Sequence, residues 1–348
     1  MRTIHFFNPE TDYALASFAG NYSVPPRIVE VRRRLAATPL RIASKGDVVL
    51  LPDFDSSGDP PPQRLLADAD DAGVSVITLR ELRAFAHSTT PADCRILPWG
   101  WNPAAVRALR KWGFPPEALP SSDDLQRLRR LSHRNFTIEF NNLLNQELKR
   151  ADFRSCHLSP LPEELDHADA AMSRIEAIGH AFVKAPWSSS GRGILCVTPA
   201  SDPAKTRQWV AGTIRRQGSV MIETAAEKAI DFATEWYIAD GSARFLGLSL
   251  FNASPQGRYQ QNVDATQSEL LTQIRAVAPD FTPDFIEAQS RVLSSLTRGY
   301  SGFAGIDMLA DRSGAIRGCI EVNFRLTMGI VSLPDASKLI QECLHHRD

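Results

Sequence analysis

Over its first third the sequence alternates short apolar runs with amphipathic, helix-period segments, the pattern of a βαβ domain built on a mainly parallel sheet. Residues 3–7, 48–51 and 74–78 are expected as strands, and residues 28–37, 62–72 and 79–87 as helices. Asn102 followed by Pro103 reads as an N-cap with proline at the first helical position, opening a helix that runs to about Trp112 ahead of Gly113. Pro115, Pro116 and Pro120 then interrupt regular structure, which places a domain boundary near residue 120.

Beyond that boundary the period changes. Residues 123–150 read as a long polar helical region, and Asp202 with Pro203 caps a helix to about Gln217 between apolar runs at 181–184 and 220–223. Runs at 236–238, 245–251 and 258–263 predict an antiparallel sheet. A helix is expected over 285–298, and runs at 302–309 and 315–323 form a hairpin around the turn from Asp311 to Gly314.

Length and composition bound the function classes. A chain of 348 residues with 43% hydrophobic and 23% charged residues buries a sizeable core and favours two domains, or one large α/β unit, over a single small module. Thirty-nine basic against 40 acidic residues give a formal net charge of −1, so there is no global field for nucleic acid or an anionic membrane. The five cysteines, Cys94, Cys156, Cys196, Cys319 and Cys343, lie far apart and read as buried thiols in a reducing compartment. With no signal-peptide pattern at the amino terminus and no apolar run of about 18 residues, a cytoplasmic location is expected. Dinucleotide, P-loop, zincin and nucleophile-elbow motifs are absent, and the eight histidines are scattered without metal-ligand spacing.

Two segments carry chemistry. The first runs from Phe182 through Lys184 and Ser188, Ser189, Ser190, Gly191, Arg192 and Gly193 to Ile194: an apolar strand ending in lysine, a small-residue loop and a return strand. Such a loop exposes backbone N–H groups beside one cation and suits a polyphosphate; taken alone, it is more often a surface hairpin with a snorkelling lysine. The second is the pair Gly305–Leu309 and Cys319–Arg325. Strand period two puts Glu321, Asn323 and Arg325 on one face, with Asp307 on the partner strand. Two carboxylates and an amide without histidine or thiolate suit Mg²⁺; a solvated face with an Arg–Glu ion pair is the other reading of that segment alone.

Taken in order, a lysine-bearing strand, a Ser/Gly loop, an acidic hinge strand, and an Asp strand paired with Glu-x-Asn resemble the ATP-grasp superfamily, in its carboxylate–amine and carboxylate–thiol ligase branch. The loop from Lys184 is similar to that of the formate-dependent glycinamide ribonucleotide transformylase, and Glu321–Arg325 to the corresponding segment of biotin carboxylase and carbamoyl phosphate synthetase. The resemblance covers roughly residues 125–335. It implies a Rossmann-like N-terminal (pre-ATP-grasp) domain over 1–120 and a two-subdomain α+β grasp domain over 121–348, with a lid subdomain at about 155–225.

For the site, the resemblance implies that Lys184 contacts the α/β-phosphates of ATP and Ser188–Gly193 closes over them. Glu223 and the backbone up to Ala226 would read the adenine edge, and Asp231 the ribose, unless it is an exposed strand acid. Asp307, Glu321 and Asn323 match the magnesium ligands, and Arg325 would face the transferred phosphoryl group. Many such proteins carry a second ATP-binding lysine before the grasp domain; here only Arg134 lies near that slot, so an arginine pairs with phosphate or the contact is missing.

Asn8 and Glu10, after the first strand, sit where open α/β sheets bind ligands or, equally, at a helix N-terminus. Arg258, in an amide-rich segment, is a candidate for an acidic substrate group or belongs to a solvated turn. The implied function is an ATP- and Mg²⁺-dependent ligase joining a small-molecule or peptide carboxylate to an amine or thiol, with neither nucleic acid nor membrane as partner; a homodimer is compatible with such a chain. A small-molecule kinase on the same fold and a non-catalytic ATP-binding regulator are the alternatives.

Overall fold

The computed structural model describes residues 1–54, 60–88, 94–150, 161–188, 193–254 and 259–345, which form two compact units. The first comprises residues 1–129, 325–327 and 334–348, the second residues 130–324 and 328–333.

In the first unit the chain runs β1 (Arg2–Phe6), α1 (Thr11–Ser17), α2 (Pro26–Arg34), β2 (Val48–Leu51), α3 (Gln63–Asp71), β3 (Ser75–Thr78), α4 (Leu79–Ser88), β4 (Cys94–Pro98) and α5 (Pro103–Lys111), and α6 (Ser122–Leu131) begins here. The strands form a parallel sheet in the order β3-β2-β1-β4. All four residues of β2 are buried because both faces of the sheet are covered: Val48 and Leu50 pack with Ile4, Phe6 and Leu109, while Val49 and Leu51 pack with Leu65 and Val74. Asn102 caps α5, its side chain accepting from the Ala105 N–H at 2.9 Å. α2 ends at Arg34, short of the expected 37, because Pro39 lies in a separate 3₁₀ turn (Thr38–Arg41).

The second unit holds α7 (Phe136–Arg150), β5 (Glu163–Leu165), α8 (Ala168–Ile178), β6 (Ala181–Lys184), β7 (Ile194–Val197), α9 (Pro203–Gln217), β8 (Val220–Thr224), β9 (Lys228–Ala239), β10 (Ser242–Ala253), β11 (Tyr259–Asn262), α10 (Gln267–Val277), α11 (Pro283–Leu296), β12 (Gly302–Asp311), β13 (Ile316–Asn323) and α12 (Met328–Ser332). Two antiparallel sheets result, ordered β5-β8-β6-β7 and β11-β10-β9-β12-β13. α8 and α9 pack through Ala171, Ile175 and Val210 onto Val183, Val220 and Ile222 of the smaller sheet. The β12–β13 turn is fixed by Asp311, whose carboxylate accepts from the Ser313 and Ala315 N–H groups at 2.8 and 3.1 Å, and by Gly314 at φ 86°.

Three sequence expectations change. The helical region expected over 123–150 is two helices, α6 and α7, broken at residues 132–135, where Asn135 N–H donates to the His133 ring instead of continuing a helix ladder. The last helix, α13 (Ala336–His345), groups with the first unit rather than with the residues before it. Cys94, Cys319 and Cys343 are buried as expected, but Cys196 is only half-buried; none of the four is in a disulfide, and Cys156 lies outside the described residues. Among the described residues no helix is long and apolar enough to cross a membrane.

Candidate functional site

Lys184 ends β6 and is only 5% exposed. Its ammonium pairs with Glu223 on the neighbouring strand β8, where antiparallel register makes the two diagonal neighbours on one face. Ala185 N–H donates to Gly193 O at 2.8 Å and closes the root of the following loop. A Cβ at Gly193 would stand 2.3 Å from the Ser188 Cβ, so that closure requires glycine. Ser189, Ser190, Gly191 and Arg192 lie outside the described residues.

Arg134, in the break between α6 and α7, ties this root to the metal candidates. It is 4% exposed; its Nη1 donates to Ala185 O at 2.5 Å and Ser188 Oγ at 2.7 Å, and its Nη2 to Glu321 Oε1 at 2.7 Å. On the β12–β13 ladder Asp307 stands directly opposite Glu321, and the Asn323 amide donates to Asp307 Oδ2 at 3.1 Å. Two carboxylates facing each other across an antiparallel pair repel, an arrangement that a cation relieves. Among the described residues no three His, Cys, Asp or Glu side chains gather as a metal-binding group. What this face offers is two carboxylates and an amide oxygen, the hard donor set that suits Mg²⁺ sharing its shell with water and phosphate.

Asp231 on β9 accepts an ion pair from Lys228 three residues earlier. Burial raises the Asp231 pKa above its ordinary value, against the opposing charges of Lys228 and Lys184. Cys319, two residues before Glu321 on β13, is held as a thiol well above its ordinary pKa by burial and then by the Asp307 and Glu321 charges. The second unit thus gathers Lys184, Lys228 and Arg134 with Glu223, Asp231, Asp307 and Glu321, three cations against four carboxylates. Lys228 was not anticipated; a lysine three residues before a candidate ribose acid was its only signal.

Several candidates fall elsewhere. Arg325 is not on the strand face with Glu321 and Asn323, because β13 ends at Asn323 and the chain enters the first unit at Arg325. There its Nε donates to Asp12 Oδ2 at 3.0 Å, at the start of α1. Asn8 has both ends of its amide bonded to the Gly100 backbone, at 2.8 and 3.2 Å, and so links the ends of β1 and β4. Glu10 lies at the N-cap position of α1 without capping it; its carboxylate pairs with Arg32, which also reaches Asp53 at 3.3 Å. Ala226 lies in the short connection between β8 and β9. Arg258 lies outside the described residues.

No protein-family model matches the sequence, and no curated protein matches it. Solved structures do. The chain is similar to the biotin carboxylase of Campylobacter jejuni in complex with β-γ-ATP, at 14% identity and TM-score 0.53 over 98% of this chain and 70% of that one. It is also similar to the biotin carboxylase domain of Hydrogenobacter thermophilus 2-oxoglutarate carboxylase in complex with MgADP, ADP and bicarbonate, at 12% identity and TM-score 0.54 over 99% of this chain and 69% of that one. A D-cycloserine synthetase matches at 10% identity and TM-score 0.51 over 99% of both chains. The fold of this chain is that of the ATP-grasp superfamily.

Proposed function

We propose that the protein is an ATP- and Mg²⁺-dependent ligase that joins a carboxylate to an amine or thiol through an acylphosphate. The observation that carries this reading is the convergence in the second unit of a buried lysine at a loop root with an Asp/Glu/Asn trio on a hairpin, on an ATP-grasp fold. A nucleotide's phosphates compete with Glu223 for the Lys184 ammonium, which leaves the Glu223 carboxylate and the backbone to Ala226 for the adenine edge. Asp231 accepts from a ribose hydroxyl. Ser188 and Gly193, at the loop root, lie against the phosphates.

Asp307, Glu321 and Asn323 would hold magnesium, which when bound neutralises phosphate charge in the transfer. In the chemical step an oxygen of the substrate carboxylate forms a bond to the γ-phosphorus while the bond to the bridging oxygen of ADP breaks. The nucleophile then attacks the acyl carbon, phosphate departs, and the nucleophile's proton goes to solvent. We assign Arg325, held by Asp12, to the substrate carboxylate and the transferred phosphoryl group, where a guanidinium fork binds developing charge.

The test is a panel of small carboxylates incubated with MgATP, with and without hydroxylamine. ADP release accompanied by a hydroxamate supports the acylphosphate. ADP release with a stable phosphorylated product would make the protein a kinase, and binding of ATP without release under any condition would make it a regulator.

A further inference from the structure

Arg134 is a buried guanidinium whose donors go to protein atoms: Nη1 to Ala185 O and Ser188 Oγ, Nη2 to Glu321 Oε1, while Nε has no hydrogen-bond partner. Glu321, which it holds at 2.7 Å, is one of the two acids that face each other across β12 and β13. The other, Asp307, accepts from the Asn323 amide at 3.1 Å. Both acids are therefore met from within the protein. A divalent cation arriving alone encounters one carboxylate already neutralised, with a positive charge fixed beside it in a place where water screens poorly.

Resting on the nucleotide reading above, we propose that Arg134 is a positioning residue that suppresses binding of the bare cation, so that the metal is accepted only together with the phosphates of a nucleotide. The same guanidinium grips the loop root next to Lys184, so a polyphosphate there supplies the negative charge that offsets it. Cation and nucleotide then raise each other's affinity, by reciprocity of linked binding. Arg134 does this through Glu321 and the loop root.

The experiment uses Mn²⁺ as the probe, followed by the resonance of the free ion, on the full chain with and without saturating ADP. In the wild type, ADP should tighten Mn²⁺ binding at least tenfold. Arg134→Met should bind bare Mn²⁺ at least tenfold more tightly than wild type and gain less from ADP; Arg134→Lys, which keeps the charge, should stay near wild type. Adding Glu321→Gln to Arg134→Met should remove the gain. A merely structural arginine would weaken binding in every variant.

Equal Mn²⁺ affinity with and without ADP in the wild type, or a folded Arg134→Met that gains nothing, overturns the inference. Should Arg134→Met fail to fold, the wild-type ADP dependence and Arg134→Lys decide it. If the wild type binds Mn²⁺–ADP but the variants show no gain, the nucleotide reading stands and only the role of Arg134 falls; if the wild type binds neither ADP nor Mn²⁺–ADP, both fall.

Discussion

Replacing Lys184 with Met separates the lysine's part in the fold from its part in nucleotide binding. Its side chain is 7% exposed and that of its partner Glu223 12%, so the substitution leaves a carboxylate almost shut off from water with its counter-charge gone. Breaking a fully buried pair on one side costs about 3–5 kcal/mol, and the residual water at Glu223 places this one near the lower end, about 3 kcal/mol. For a unit of about 200 residues that corresponds to a fall of roughly 6–12 °C in melting temperature. In Lys184→Met/Glu223→Leu both charges are gone and the strand pair β6–β8 is otherwise intact, so most of that loss should return. Nucleotide affinity should not return, because neither variant has the ammonium: MgATP binding by calorimetry is expected to weaken at least about tenfold in both, about 1.4 kcal/mol. Thermal melts and calorimetry on the three proteins are sufficient. If the double variant regained MgATP affinity along with its melting temperature, Lys184 would be a structural ion-pair partner and the phosphate assignment would be wrong.

Glu321→Gln keeps an oxygen for Arg134 but removes one anion from the trio; with a responsive carboxylate, ADP release should fall at least about 100-fold in a protein that still folds at a lowered melting temperature, because the buried guanidinium loses its counter-charge, and near wild-type release would make the hairpin a structural feature. Arg325→Met should leave the MgATP dissociation constant within a few-fold while single-turnover rates collapse, whereas lost affinity at a preserved rate would reassign the arginine to ground-state binding. Burial pushes the Asp47 pKa up, but hydrogen bonds from the His5 ring and from the Ser44 and Thr3 N–H groups outweigh it and hold it below its ordinary value. Its contribution is therefore complete above the ordinary carboxylate pKa of about 3.9 and is lost as pH falls through the lower folded value. Urea melts should show Asp47→Asn less stable than wild type at pH 7 with the gap closing below about pH 4; a gap independent of pH would refute the linkage.

What could be read from the sequence was set by local pattern. The run Val48–Leu51 is buried on both faces, so its continuous apolarity announced a strand, and Asn102–Pro103 and Asp202–Pro203 announced helix starts through caps that act within three residues. β4 escaped notice because Cys94–Pro98 has arginine and proline in a run of five and lacks the all-apolar character of its neighbours. Period two placed Glu321 and Asn323 on one face, but not their partner: the turn pairs Leu309 with Arg317 and would set Asp307 opposite Cys319, and the register shift between Asp307 and Leu309 brings it opposite Glu321. The same period-two rule misplaced Arg325, since it holds only while the strand lasts and β13 stops two residues short. From there the side chain is directed by Asp12, 313 positions earlier in the chain, just as Glu321 is held by Arg134, 187 positions before it. Charges this well buried are placed by whichever opposite charge the fold brings near, because an unpaired one is too costly to keep. Spacing in the sequence can therefore nominate the carboxylates of such a site, but only the folded chain decides which cation answers each of them, and with it how the site meets a metal or a phosphate.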